Sequence, residues 1–257
     1  MSSTRSIARR EPAIRPPDSH AALVVCAHGI NGDPGAAVAH ARTISRLKLF
    51  AEARACCLSG RPQIADVLAE LTESHIYLVP NLMSEGYTNN VTLPRLLGLE
   101  ITAKNRLTLC RPVGTNPRLA TLIVRRAVAG CLTNGWEPRE TALLLVAHGT
   151  RRVLASSLTA RRHAAAITET GTFASADAAF LEEPPSVAEA LRTANARHVV
   201  CIGLFADHGA HGEGDVSRLL SASRPDGFYA GPIGADPDMA GLIAEQAWAS
   251  MGDSAVA

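Results

Sequence analysis

One pattern runs twice through this 257-residue chain. Leu23–Gly29 reads L-V-V-C-A-H-G and Leu143–Gly149 reads L-L-L-V-A-H-G, which sets His148 at a fixed spacing from His28 (148 − 28 = 120). Pro112-Val113-Gly114-Thr115-Asn116-Pro117 is answered at the same spacing by Pro232-Ile233-Gly234-Ala235-Asp236-Pro237 (232 − 112 = 120). Between these anchors the spacing widens (181 − 58 = 123): Leu58, Pro62, Ile64 and Leu68 pair with Leu181, Pro185, Val187 and Leu191, and Leu82, Gly86 and Arg95 pair with Phe205, Gly209 and Arg218. Anchors that keep their order over most of each copy mark a duplicated structural unit, and a short gain followed by a loss on the surface accounts for the drift. The chain therefore divides into halves at 21–136 and 139–257. Asn134-Gly135 and Pro138 form a turn-rich join between them, and the polar segment 1–20 reads as a disordered tail.

Within each half, apolar runs alternate with stretches of helical periodicity. Strands are expected at 21–27, 55–58, 76–79 and 107–110, then at 142–147, 178–181, 198–204 and near 228–230. Helices are expected at 36–55, 62–71 and 118–130, then at 153–168, 185–194 and 238–250; 81–88 and 205–214 read as loops. Short Val/Ile/Leu-rich strands alternating with helices predict an α/β fold. Its two similar Rossmann-like lobes would each be a parallel sheet flanked by helices, with a cleft between them.

Composition narrows the function classes. The net charge of +1 gives no general attraction for nucleic acid or membrane. No apolar run is long enough to span a bilayer, and the N-terminal segment has no apolar core of a secretory signal. The six cysteines, Cys26, Cys56, Cys57, Cys110, Cys131 and Cys201, form no C-x-x-C pair. A cytoplasmic chain with reduced thiols fits best.

The polar groups that break this apolar pattern fall at strand ends of the second half. His148 closes the strand L-L-L-V-A. Glu182 and Glu183 follow A-A-F-L, and His208 and His211 lie in A-D-H-G-A-H-G-E-G-D after V-V-C-I-G-L. Parallel strands present their C-terminal ends along one edge, where ligands bind, so these groups can converge. Two imidazoles and a carboxylate with an open position suit a first-row divalent metal. The first half is an internal control. His28 persists, but Ser59 stands opposite Glu182, Gly60 opposite Glu183 and Thr88 opposite His211. The candidate set is complete once, in the second half. His28 is left to line the cleft, Arg151 to meet an anionic substrate, and His208 to sit beside the site. His20, His40, His75, His163 and His198 show no partner pattern and are expected on the surface.

These residues together resemble the class II chelatases, the sirohydrochlorin cobalto- and ferrochelatases of the cobalamin and sirohaem pathways. The matching phrases are A-H-G-T-R (147–151), A-F-L-E (179–182) with Pro185-Ser186, G-A-H-G-E-G-D (209–215) and the two P-x-G-x-x-P segments. Both halves are covered, so the likeness is to the long two-lobed form. The resemblance implies a lyase that inserts Co²⁺ or Fe²⁺, with Ni²⁺ as a further option, into sirohydrochlorin without a nucleotide. In keeping with this, no G-x-x-x-x-G-K-[ST] segment is present. It assigns His148, Glu182 and His211 to metal and macrocycle, the run Leu181–Ser186 leaving open whether Glu182 or Glu183 is the carboxylate. The protein would act as a monomer or homodimer. Two other readings fit the same residues: a non-catalytic metal or tetrapyrrole carrier, and a metal-dependent hydrolase.

Overall fold

The computed structural model describes residues 18–102, 106–149, 155–209 and 214–253. The first half carries β1 (Asp18–Ala27), α1 (Ala36–Arg46), β2 (Phe50–Cys57), α2 (Ile64–Glu70), β3 (His75–Pro80), α3 (Leu93–Thr102), β4 (Leu107–Leu109) and α4 (Leu119–Thr133). The second half repeats this order with β5 (Thr141–Ala147), α5 (Ala155–Thr168), β6 (Ser175–Phe180), α6 (Val187–Thr193), β7 (His198–Gly203), α7 (Val216–Ser223), β8 (Phe228–Pro232) and α8 (Met239–Asp253). Each half forms a four-stranded sheet, ordered β2-β1-β3-β4 and β6-β5-β7-β8, and the pairs are parallel. The duplicated α/β architecture expected from the repeat is the one observed.

Alternation along the central strands sorts side chains between two faces. On β1, Ala22, Val24 and Cys26 pack with Val67 and Leu68 of α2 and Leu93 and Leu97 of α3. Leu23, Val25 and Ala27 face the other way, into a core shared by both halves. That shared core exists because each half's closing helix packs across the molecule. α8 lies against α1, β1 and β3, while α4 lies against α5, β7 and β8. Trp248 of α8 stacks on Phe50 of β2 with ring centroids 5.9 Å apart. Arg126 of α4 donates to the Ala230 carbonyl at 2.9 Å and pairs with Asp236 at 3.2 Å. The order of layers is α2 and α3, first sheet, a central layer of α1, α8, α4 and α5, second sheet, then α6 and α7.

Four expectations change. The helix expected over 36–55 ends at Arg46, and β2 starts at Phe50. Lys48 takes a left-handed conformation (φ 52°) in the turn between them. Phe50–Ala55 is Ala-rich and reads as helical in isolation, but pairing with β1 overrides that propensity. Helices α3 and α7 were not anticipated. Each is short, with one buried edge built from Leu93 and Leu97 or Val216 and Leu220. β1 begins at Asp18, inside the segment read as a tail, whose positions 1–17 lie outside the described residues.

The fourth change concerns His40 and His163, expected on the surface but 1% and 5% exposed. His40 Nε2 donates to the Gly234 carbonyl at 2.8 Å, and His163 Nε2 donates to the Gly114 carbonyl at 2.8 Å. Each ties one half's first helix to the other half's P-x-G-x-x-P turn. Among the remaining three, His20 is exposed, while His75 and His198 are half-buried, His198 stacked on Trp136 at 4.5 Å.

Candidate functional site

The C-terminal ends of β1, β3, β5 and β7 meet at a cavity of about 600 Å³ between the halves. Its size falls within the usual range for small-molecule sites. The walls follow the internal repeat: His28 answers His148, Asn81 answers Leu204, and Ser84 answers Asp207, all six lining the same space. The cavity is therefore lined by equivalent segments of both lobes, while the chemistry of its two walls differs.

The strand ends are built alike. The Leu58 amide donates to the Ala27 carbonyl at 3.0 Å, and the Leu181 amide to the Ala147 carbonyl at 3.1 Å. The His28 carbonyl accepts from Ser59 at 3.1 Å, and the His148 carbonyl from Glu182 at 2.9 Å. These backbone bonds hold both histidines at the turn out of the strand, where both line the cavity. The His148 ring is half-buried and meets Phe205 edge-on, centroids 5.3 Å apart at 86°. That contact packs the imidazole against an aromatic wall of the cavity. His28 is exposed.

Neither candidate carboxylate lines the cavity. A Cβ built on Gly149 would come within 2.6 Å of Glu183 Cγ, so this side chain lies directly over the backbone beside His148. Glu182 is exposed. His208 is exposed, its amide donating to Asp207 Oδ1 at 2.7 Å. His211 and Arg151 lie outside the described residues. Among the described residues, no group of three His, Cys, Asp or Glu side chains gathers to hold a metal. The structure thus brings His148 and His28 to one cavity, sets the Glu183 stem over Gly149, and leaves Glu182 and His208 exposed.

Two wall residues escaped the sequence reading. Asp207 Oδ2 accepts from the Ala36 amide at 2.6 Å, so a carboxylate of the second lobe caps α1 of the first. It shapes the cavity and clasps the lobes at once. Asn81 is 1% exposed at the end of β3. Its signal in the sequence was an amide standing where the other half has Leu204. The cysteines, by contrast, take no part: all six are buried, and burial pushes the Cys110 and Cys201 thiols up to about 12, which keeps them protonated.

The CbiX family model matches residues 22–129 and 142–249, once on each half. This chain belongs to the CbiX family. The chelatase resemblance of the sequence and the duplicated architecture are both accounted for by that membership. Among its relatives, the probable sirohydrochlorin cobaltochelatase of Halobacterium salinarum is 29% identical over 266 residues, spanning 88% of this chain and 90% of that protein. CbiX described as the terminal enzyme for siroheme biosynthesis in denitrifying bacteria has 28% identity and a TM-score of 0.73, covering 89% of this chain and 98% of that one. The fold is also that of DR2241 from Deinococcus radiodurans, described as a multi-domain protein with structural similarity to chelatases (23% identity, TM-score 0.76, 89% of this chain). This chain spans only 54% of that larger protein. Among the described residues no helix is long and apolar enough to cross a membrane.

Proposed function

We propose that this CbiX-family chain is a lyase that inserts a divalent metal, Co²⁺ or Fe²⁺, into sirohydrochlorin without a nucleotide. The supporting observation is the placement of His148, held at a strand end by backbone bonds and braced by Phe205, on the wall of a cavity shared by two lobes. The activities named for the H. salinarum protein and for the denitrifiers' CbiX point the same way.

In this reading the macrocycle enters the cavity and the second lobe, 139–257, supplies the reacting groups. The metal is a substrate, held by His148 and His211 with Glu183 or Glu182. Two pyrrole protons must leave as the metal enters. His148 takes one as it gives up the metal, and the carboxylate or His211 takes the other. Arg151, His28 and His208 meet the acidic side chains of the substrate. Transfer from imidazole to macrocycle nitrogen frees the protein ligands for the next metal ion. Ni²⁺ satisfies the same donors, so ligand chemistry leaves the choice of metal to availability. The protein works in the cytoplasm, as a monomer or homodimer.

The test is an anaerobic absorbance assay with sirohydrochlorin and Co²⁺, then Fe²⁺ and Ni²⁺, run beside His148→Ala. Catalytic turnover that the variant loses while staying folded is the expected result. Stoichiometric binding with no turnover would replace this reading with a carrier. Metal-dependent ester or phosphate cleavage without insertion would replace it with a hydrolase.

A further inference from the structure

Asn81 sits in the cavity wall with a conflict that the fold does not require. Its backbone amide donates to the Cys26 carbonyl at 2.7 Å, and Leu204 makes the equivalent bond to Val146 at 2.7 Å in the other lobe. An apolar side chain thus serves the same backbone position. Asn81 Nδ2 reaches the Ala206 carbonyl only at 3.4 Å, across the lobe boundary. Its Oδ1 is buried and has no hydrogen-bond partner among the described residues. A desolvated acceptor left unpaired is costly, and such a group calls for an explanation.

We infer that Asn81 is a substrate-binding residue that recognises the metal-free macrocycle, an inference that rests on the proposed chelatase function. The chemistry of the ligand selects the contact. A metal-free tetrapyrrole carries carboxylates at its rim, which accept hydrogen bonds, and N–H groups at its centre, which donate them. A carbonyl-type oxygen complements the centre and not the rim. With Nδ2 kept on the Ala206 carbonyl, a small shift of the side chain brings Oδ1 from its buried position to the cavity, where it accepts from an inner N–H. Metal insertion removes those N–H protons, so the product offers this oxygen no donor. Asn81 therefore favours substrate over product, which helps the site empty after each turnover.

The experiment is equilibrium binding, by absorbance and fluorescence quenching, of metal-free sirohydrochlorin and of cobalt-sirohydrochlorin. It compares the unsubstituted protein with Asn81→Leu, which copies the other lobe, and with Asn81→Asp, which keeps the acceptor and drops the amide donor. Asn81→Leu is expected to weaken metal-free binding about tenfold and leave product binding unchanged. Asn81→Asp is expected to retain the preference for the metal-free form. Equal weakening of both ligands, or no weakening, overturns the inference; the latter is also what a trapped water satisfying Oδ1 would give. A loss confined to Co²⁺ binding, read by calorimetry without tetrapyrrole, overturns it in favour of a metal contact. If the unsubstituted protein binds neither tetrapyrrole, the functional reading fails and this inference with it; normal binding that ignores Asn81 removes the inference alone.

Discussion

His40 Nε2 lies 2.8 Å from the carbonyl oxygen of Gly234, and its repeat counterpart His163 makes the same bond to Gly114. Each bond crosses the lobe boundary and satisfies a buried carbonyl. Replacing either histidine with Ala strands that carbonyl and opens a void. A loss of about 2 kcal/mol per site is expected in urea unfolding, with the double variant close to the sum because the sites share no partner. A loss under a few tenths of a kcal/mol at both would remove them from the interface argument.

The same pair sets a pH dependence. Burial is the leading cause that lowers both imidazoles below their ordinary 6.5, partly offset by the bonds to Gly234 and Gly114. In the acid range the unfolded chain then binds more protons than the folded one. Their contribution is fully present above about pH 6.5 and is lost as pH falls through the lower folded values. Tm measured from pH 8 to pH 5 should fall at the acid end. It should fall less in a His40→Gln/His163→Gln variant, whose amides donate without titrating. Parallel curves would assign the acid sensitivity elsewhere.

Gly234 and Gly241 should respond to alanine in opposite directions. A Cβ on Gly234 would lie 2.5 Å from the Ala206 backbone, a clash that moves the cavity wall. The expected cost is about 1–3 kcal/mol, with reduced tetrapyrrole binding. Gly241 lies inside α8, where a Cβ meets nothing within 4 Å. There Ala should stabilise by roughly 0.5–1 kcal/mol and leave binding alone. Thermal melts of the two variants give the comparison directly.

The two adjacent carboxylates can be separated by isosteric amides. Glu183 lies over Gly149 beside His148, whereas Glu182 is exposed. Glu183→Gln is expected to lower kcat by about a hundredfold, the usual scale for losing a general base, and Glu182→Gln by no more than a few-fold. The reverse order would return the role to Glu182.

What the chain declares by itself comes from local periodicity and repetition. The duplicated strands, their parallel α/β class and His148 at a strand end all follow from patterns within a few residues, read twice. The asymmetry between the halves, Ser59 against Glu182 and Thr88 against His211, is equally legible. Packing between distant segments decided the rest. The Ala-rich stretch Phe50–Ala55 became β2 because β1 lies beside it. α4 and α8 settled on opposite lobes because the apolar layer that buries them is assembled from both halves. His40, His163, Asp207 and Asn81 carry no local signal of their partners, which lie 194, 49, 171 and 125 residues away. Sequence determines which face of a strand or helix is apolar; only the folded chain decides which polar groups are sealed at that face, and what must satisfy them.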